Sequence, residues 1–290
     1  MKAFLGIALA VFIAGAFTSC VRTSTVVKLE KDGSGEIITR YHFSPQVTAF
    51  LEQVEAMGPR AGIPMEAANL GLIREIMTPD EEGLTADAKN YGEGVSYSRH
   101  EIGKDTEGWE GYIVVYDFDD IRKIVIDQNT LPGKAKELME ASGQAPAARK
   151  GGSLRFELEG DLLTIHSSLA DGNVNEIVNG DQLSKAKEMG MKPSEAIQMA
   201  ANTTQGMRTG FFVRVVPGIA ETNAEHTTGD LIILSDAEIS KVLKDPDFGA
   251  FVDEATEDPE GVDLEKVKEL FRKIEGMTVE LAEEVTVRFQ

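Results

Sequence analysis

Cys20 is the only thiol in this sequence, and it stands three residues past the end of an unbroken run of apolar residues and glycine from Ala3 to Phe17. A disulfide within the chain needs a second cysteine, and cysteine-built zinc sites need clusters, so neither chemistry is open to it. The other groups with chemistry to offer are the four histidines, His42, His100, His166 and His226, and they are scattered through the sequence. His100 opens the segment HEIGK, where a zinc-protease motif needs a second histidine at the position held by Lys104. That motif also needs a helix to bring two imidazoles to one face, and this segment reads as strand.

Asp171, Asn173 and Asn175 occupy the first, third and fifth places of a calcium loop. The sixth place holds Glu176 rather than a turning glycine, and the twelfth holds Gln182, which cannot clamp the ion with two charged oxygens. The stretch reads better as a turn rich in side-chain-to-backbone hydrogen bonds. Asp245, Asp247, Asp253, Glu254, Glu257, Asp258, Glu260 and Asp263 form an acidic run. It reads first as a solvated loop with helix-start acids and second as a weak divalent-cation site. Gly92 and Gly94 start a dinucleotide-like spacing, but Tyr97 stands at the third glycine and a strand follows. Ser34 lies between two glycines in a hairpin turn, not at the strand-to-helix bend of a nucleophile elbow. No catalytic residue, metal ligand or cofactor follows from these patterns.

Lys2 gives the N-terminus a positive start, and the apolar run after it is shorter than the roughly 20 residues of a membrane-spanning helix. This is the form of a secretory signal peptide over residues 1–19. Phe17-Thr18-Ser19-Cys20 resembles the lipobox of bacterial lipoproteins, a short apolar or small triplet before an invariant cysteine, with Phe17 where leucine is usual. The resemblance implies cleavage before Cys20, a thioether to diacylglycerol on its sulfur and acylation of the new N-terminus. Palmitate-length chains at about 0.8 kcal/mol per buried methylene would make a firm membrane anchor. Under the sorting rule of Gram-negative lipoproteins, Val21 after the cysteine implies the outer membrane, facing the periplasm. The alternative is an ordinary signal peptide cut elsewhere, leaving Cys20 a free thiol.

The chain has 29 basic and 49 acidic side chains, a net charge of −20. Such a surface repels nucleic acid and anionic headgroups, and no basic patch stands out, so nucleic acid is excluded as a partner. About 270 residues after the signal peptide, in a chain that is 42% hydrophobic, suffice for a core in one large domain or two smaller ones.

The elements follow from periodicity. Thr25 to Phe43 alternates around Asp32-Gly33-Ser34-Gly35 and predicts a hairpin. Ser44-Pro45 opens a helix through Met57, a second runs from Met65 to Met77, and Thr78-Pro79-Asp80-Glu81 reads as a capping box opening a third. Strands follow from Gly94 and from Trp109 to Phe118, with Tyr112, Val114, Tyr116 and Phe118 on one face, and Ile121 to Asp127 reads as another. LPGKAKELMEA reads as a helix. After the small-residue connector 141–153, a hairpin turns at Glu159-Gly160-Asp161 and helices fill Asp181 to Thr203. GMRTGFFVRVVPG and GDLIILS read as strands, DAEISKVL and VDLEKVKELFRKI as helices, and MTVELAEEVTVRF as a closing strand. In GMRTGFFVRVVPG, Phe211, Phe212, Val213, Val215 and Val216 make a strand apolar on both faces, either centrally buried or lining an apolar groove for lipid or peptide.

Hairpins with grouped helices predict an α+β fold with antiparallel sheet. The sequence divides into a signal peptide (1–19), an N-terminal half (20–140), the connector (141–153) and a C-terminal half (154–290). DFDDIRKI and LSDAEISKV fall at comparable places, so duplication of one half remains open. The opening strand, the Asp-Gly-Ser-Gly turn and the closing EEVTVRF resemble uncharacterised bacterial lipoprotein domains of the LppM type, which implies fold kinship over short stretches. The expectation is an envelope lipoprotein held in the membrane by lipid on Cys20, a non-enzymatic binding or structural module for an envelope protein or apolar ligand. Two alternatives stand beside it: an enzyme with a dispersed Ser/His or carboxylate site, and a weak divalent-cation-binding module.

Overall fold

Strict alternation of apolar and polar residues places one set of side chains under the sheet and the other above it. The computed structural model describes residues 21–49, 52–53, 70–127, 153–167, 190–258, 261 and 263–290. In it β1 (Val21–Leu29) and β2 (Gly35–Phe43) form the predicted hairpin, with Thr25, Val27, Leu29, Ile37, Thr39, Tyr41 and Phe43 all buried on one side. The turn is held by Asp32, whose Oδ1 accepts from Ser34 N at 3.0 Å and Ser34 Oγ at 2.6 Å, with Gly33 at φ +90°. Only glycine adopts that φ without strain.

Two sheets result. The eight-stranded one runs β10 (Thr227–Thr228), β11 (Leu231–Glu238), β8 (Arg208–Val215), β1, β2, β4 (Glu110–Phe118), β3 (Val95–Lys104), with β12 (Met277–Val279) also on β11. The five-stranded one runs β5 (Val125–Asp127), β6 (Ser153–Glu159), β7 (Leu162–Ser167), β13 (Glu284–Phe289), β9 (Ile219–Thr222). β1 and β8 pair in parallel, Val26 opposite Phe212, while the other described ladders are antiparallel. Strands from either side of the 141–153 connector therefore share both sheets: β1 bonds β8, and β5 bonds β6.

One core lies beneath both sheets. It joins Val27, Ile37, Tyr112, Tyr116 and Val213 of the larger to Ile126, Phe156, Leu163, Val285 and Phe289 of the smaller. Ile76 and Met77 of α1 (Leu70–Met77) and Leu84 of α2 (Glu81–Asp87) close its flank. Four helices, α3 (Pro193–Thr203), α4 (Ile239–Lys244), α5 (Pro246–Glu257) and α6 (Leu264–Lys273), enclose a second cluster of Ile197, Val242, Phe248, Val252 and Ile274. The class is α+β, as the sequence predicts.

Several boundaries differ from the sequence reading. The cap of α2 is Asp80, which accepts from Gly83 N at 2.8 Å, and not Thr78, whose hydroxyl donates back to Arg74 O at the end of α1. The acidic run is a helix, α5, over much of its length. Asp245 caps it and Pro246 sits at its first position, a start signal that the density of acids obscured. β11 continues through Asp236 to Glu238 because β12 gives it a partner there, so α4 begins at Ile239. Ile121–Lys123 is a 3₁₀ turn rather than strand. The helix expected in LPGKAKELMEA, and parts of those expected before Met57, from Met65 and from Asp181, lie outside the described residues, as does nearly all of the connector.

Candidate functional site

The face of the larger sheet away from the core carries a feature that alternation alone does not expect. Residues there should be polar, yet five in direct register are apolar: Ile233, Phe212, Val26, Ile38 and Val115, on β11, β8, β1, β2 and β4. They form one row across the sheet, perpendicular to its strands. Ile233, Phe212, Val26 and Ile38 are half-buried, while Val115 at the end of the row is buried. Phe212, Val26 and Ile38, with Leu231, floor an open depression of about 250 Å³, and Lys28, Arg40 and Arg214 stand on its rim.

The three rim cations differ in how their charge is used. Lys28 Nζ lies 3.1 Å from Glu36 and 3.5 Å from Glu30, and the hydrogen bond to Glu36 raises its pKa. Burial would raise the Glu36 carboxyl in turn, but hydrogen bonds from Lys28 and Arg99 outweigh it and hold that pKa low. Arg214 keeps a looser pair with Asp230 at 3.6 Å, between two half-exposed side chains. Arg40 has no ion pair with a described residue. A guanidinium beside apolar surface and without its own carboxylate is suited to a partner's carboxylate or phosphate.

β8 is a central strand with apolar residues on both faces, as its sequence predicts. Phe211, Val213 and Val215 point into the core, while Phe212 points out and lines the depression. Gly210 precedes them because the Phe212 ring fills the space a side chain there would need: a Cβ at residue 210 would stand 2.6 Å from it. The sequence reading missed Val26 and Ile38, placing them with the outward residues of an otherwise ordinary hairpin. Their apolar type, at the same distance from the turn on both strands, was the available signal.

At the start of β1 a second cluster forms. Arg22 lies 4.0 Å over the Trp109 ring, donates to Gly206 O at 3.0 Å and pairs with Glu107 at 2.6 Å and Asp105 at 3.4 Å. His42 sits beside it, its pKa lowered by burial and by Arg40 and Arg22, against an opposing pull from Asp105.

The remaining residues singled out in the sequence do not converge. His100 Nδ1 lies 2.7 Å from Tyr97 OH on β3, which is strand as expected. His166 sits on β7 between Glu157 and Glu284, at 3.3 and 3.4 Å. The His226 carbonyl accepts from Ile233 N at 2.9 Å. Of the acidic run, Asp245 and Asp263 cap α5 and α6, and Asp253 accepts from Ser194 N at 2.9 Å and Ser194 Oγ at 2.7 Å, tying α5 to α3. Among the described residues no three His, Cys, Asp or Glu side chains converge as a metal-holding group. Cys20 and the span Asp171 to Gln182 lie outside the described residues.

No family model matches the chain, and no curated protein does. Among solved structures it is similar to the folded domain of LppM from Mycobacterium tuberculosis, over 74% of this chain and 80% of that one, at 9% sequence identity and a TM-score of 0.26. A likeness that faint identifies no function, and the functional reading rests on the chain's own residues.

Proposed function

We propose that this protein is a non-enzymatic envelope lipoprotein, anchored by acyl chains on Cys20, that binds another envelope protein through the outer face of its larger sheet. The single observation that carries the binding reading is the row Ile233–Phe212–Val26–Ile38–Val115 beside Arg40, which has no ion pair with a described residue. Enclosed small-molecule sites occupy roughly 300–1,000 Å³ and bury most of their ligand. The depression here is open and about 250 Å³, which suits one or two side chains of a partner surface better than a whole ligand. Its cationic rim favours a partner presenting an apolar side chain next to an acidic one. The lipobox resemblance supports the envelope address.

The test is site-specific photocrosslinking in cells making the full chain. A photoreactive phenylalanine analogue at position 212 should give a discrete adduct with one envelope protein, and the same analogue at exposed Glu159 should not. Charge reversal by Arg40→Glu should abolish the adduct. Labelling of a lipid instead would favour an apolar ligand, and no Arg40-dependent adduct would overturn the reading.

A further inference from the structure

Lipoprotein bodies hung on flexible tethers sample many orientations, because a loose linker of n residues reaches roughly 5–6 Å × √n. This chain has no such linker. Val21, the residue after Cys20, is already the first residue of β1 and is in register with Phe43. β1 is an interior strand, bonded to β2 on one side and to β8 on the other from Arg22 onward. The Arg22 side chain is held at once by Trp109, Gly206, Asp105 and Glu107. The covalent distance from Cys20 to a fixed point in the fold is one peptide unit, about 3.8 Å between Cα atoms.

We infer that the end of the larger sheet bearing Val21, Phe43 and Arg208 rests against the lipid surface, with the turn at residues 105–108 and residues 204–207 beside it. The inference depends on the reading of Cys20 as the acylated residue. β1 spans nine residues, so at ~3.3 Å each its far turn at residues 30–34 stands roughly 27 Å from the anchored end along the strand. Val26, and with it the apolar row, lies five residues along, about 16 Å from that end. A partner could then meet the row without entering the bilayer.

Exposed apolar side chains occur at both ends, Val216 at 41% beside Leu29 at the far one, but the two most exposed lie toward the anchored end. The two most exposed large apolar side chains of the described residues are Met199 and Ile102, at 62% and 49%. Ile102 is level with Tyr112, Tyr41 and Thr23, three residues into β1 from the anchored end. Met199 lies on α3, one turn before the segment whose Gly206 carbonyl binds Arg22. Exposed apolar side chains near an interface gain from partial burial in it.

The experiment uses the full chain made in a lipoprotein-processing bacterium, extracted from its membranes and reconstituted into zwitterionic phosphatidylcholine vesicles containing spin-labelled lipid, since the acidic body repels anionic headgroups. A fluorophore is placed at the near turn by Thr106→Cys or at the far turn by Lys31→Cys, and intact mass is recorded for each sample. The expected result is strong lipid quenching at 106 and loss of quenching at 31. Equal quenching, or the reverse order, in protein whose mass shows acylation would overturn the orientation and leave the anchor standing. A mass showing an unmodified Cys20 would remove the anchor itself, and the orientation with it.

Discussion

Leu163 lies in the smaller sheet, fully buried, opposite Leu158 on β6 and Val287 on β13. Truncating it to alanine opens a cavity between strands that cannot collapse without breaking ladder hydrogen bonds, so the cost belongs in the upper part of the usual range of about 2–5 kcal/mol. With a urea slope near 3 kcal/mol per molar for a chain of this size, the unfolding midpoint should fall by roughly 1 M. Trp109, the sole tryptophan, is buried beside Arg22 at the end of the larger sheet and so reports on the other sheet. Because one core joins the two sheets, tryptophan fluorescence and far-ultraviolet circular dichroism of Leu163→Ala should move together in a single transition. The mature chain with Cys20→Ser serves for the titration. A dichroism curve that splits in two while the Trp109 transition stays at the wild-type midpoint would refute the shared core.

Three further outcomes follow. Arg40→Glu should leave the stability from the same urea titration nearly unchanged, within about 0.5 kcal/mol, since no described partner loses its charge, while removing the crosslink at position 212. Gly111→Ala should destabilise the mature chain by about 3 kcal/mol or more in the same titration, because the new Cβ would collide with the Tyr41 carbonyl oxygen in the neighbouring strand. His42 has its pKa lowered chiefly by burial, so the unfolded chain takes up its proton first as pH falls. Stability should therefore be flat above about pH 7 and decline as pH drops through the unfolded value near 6.5 towards the depressed folded one, and His42→Gln should remove that part of the slope in midpoints measured from pH 8 to 5.

Local pattern made much of this molecule legible. The β1–β2 hairpin, its turn and its buried face were all readable because each depends on residues within a single hairpin. Tyr112, Val114, Tyr116 and Phe118 fell on one buried face for the same reason. The parallel pairing of β1 with β8 was not readable, since it joins residues about 186 positions apart and no local signal specifies a partner that distant. The apolar row shares that origin: Val26 and Phe212 become neighbours only through that pairing. α5 was hidden by composition, its Phe248, Val252 and Ala255 stripe masked by surrounding acids that serve as caps and as the Asp253 tie to Ser194.

The tether is tested most directly by intact-mass analysis of the native protein drawn from the membrane fraction. The expected product is a chain starting at residue 20, heavier than its sequence by a diacylglyceryl group and an N-terminal acyl chain. A bare sulfhydryl at that residue, or a first residue beyond it, would contradict the account.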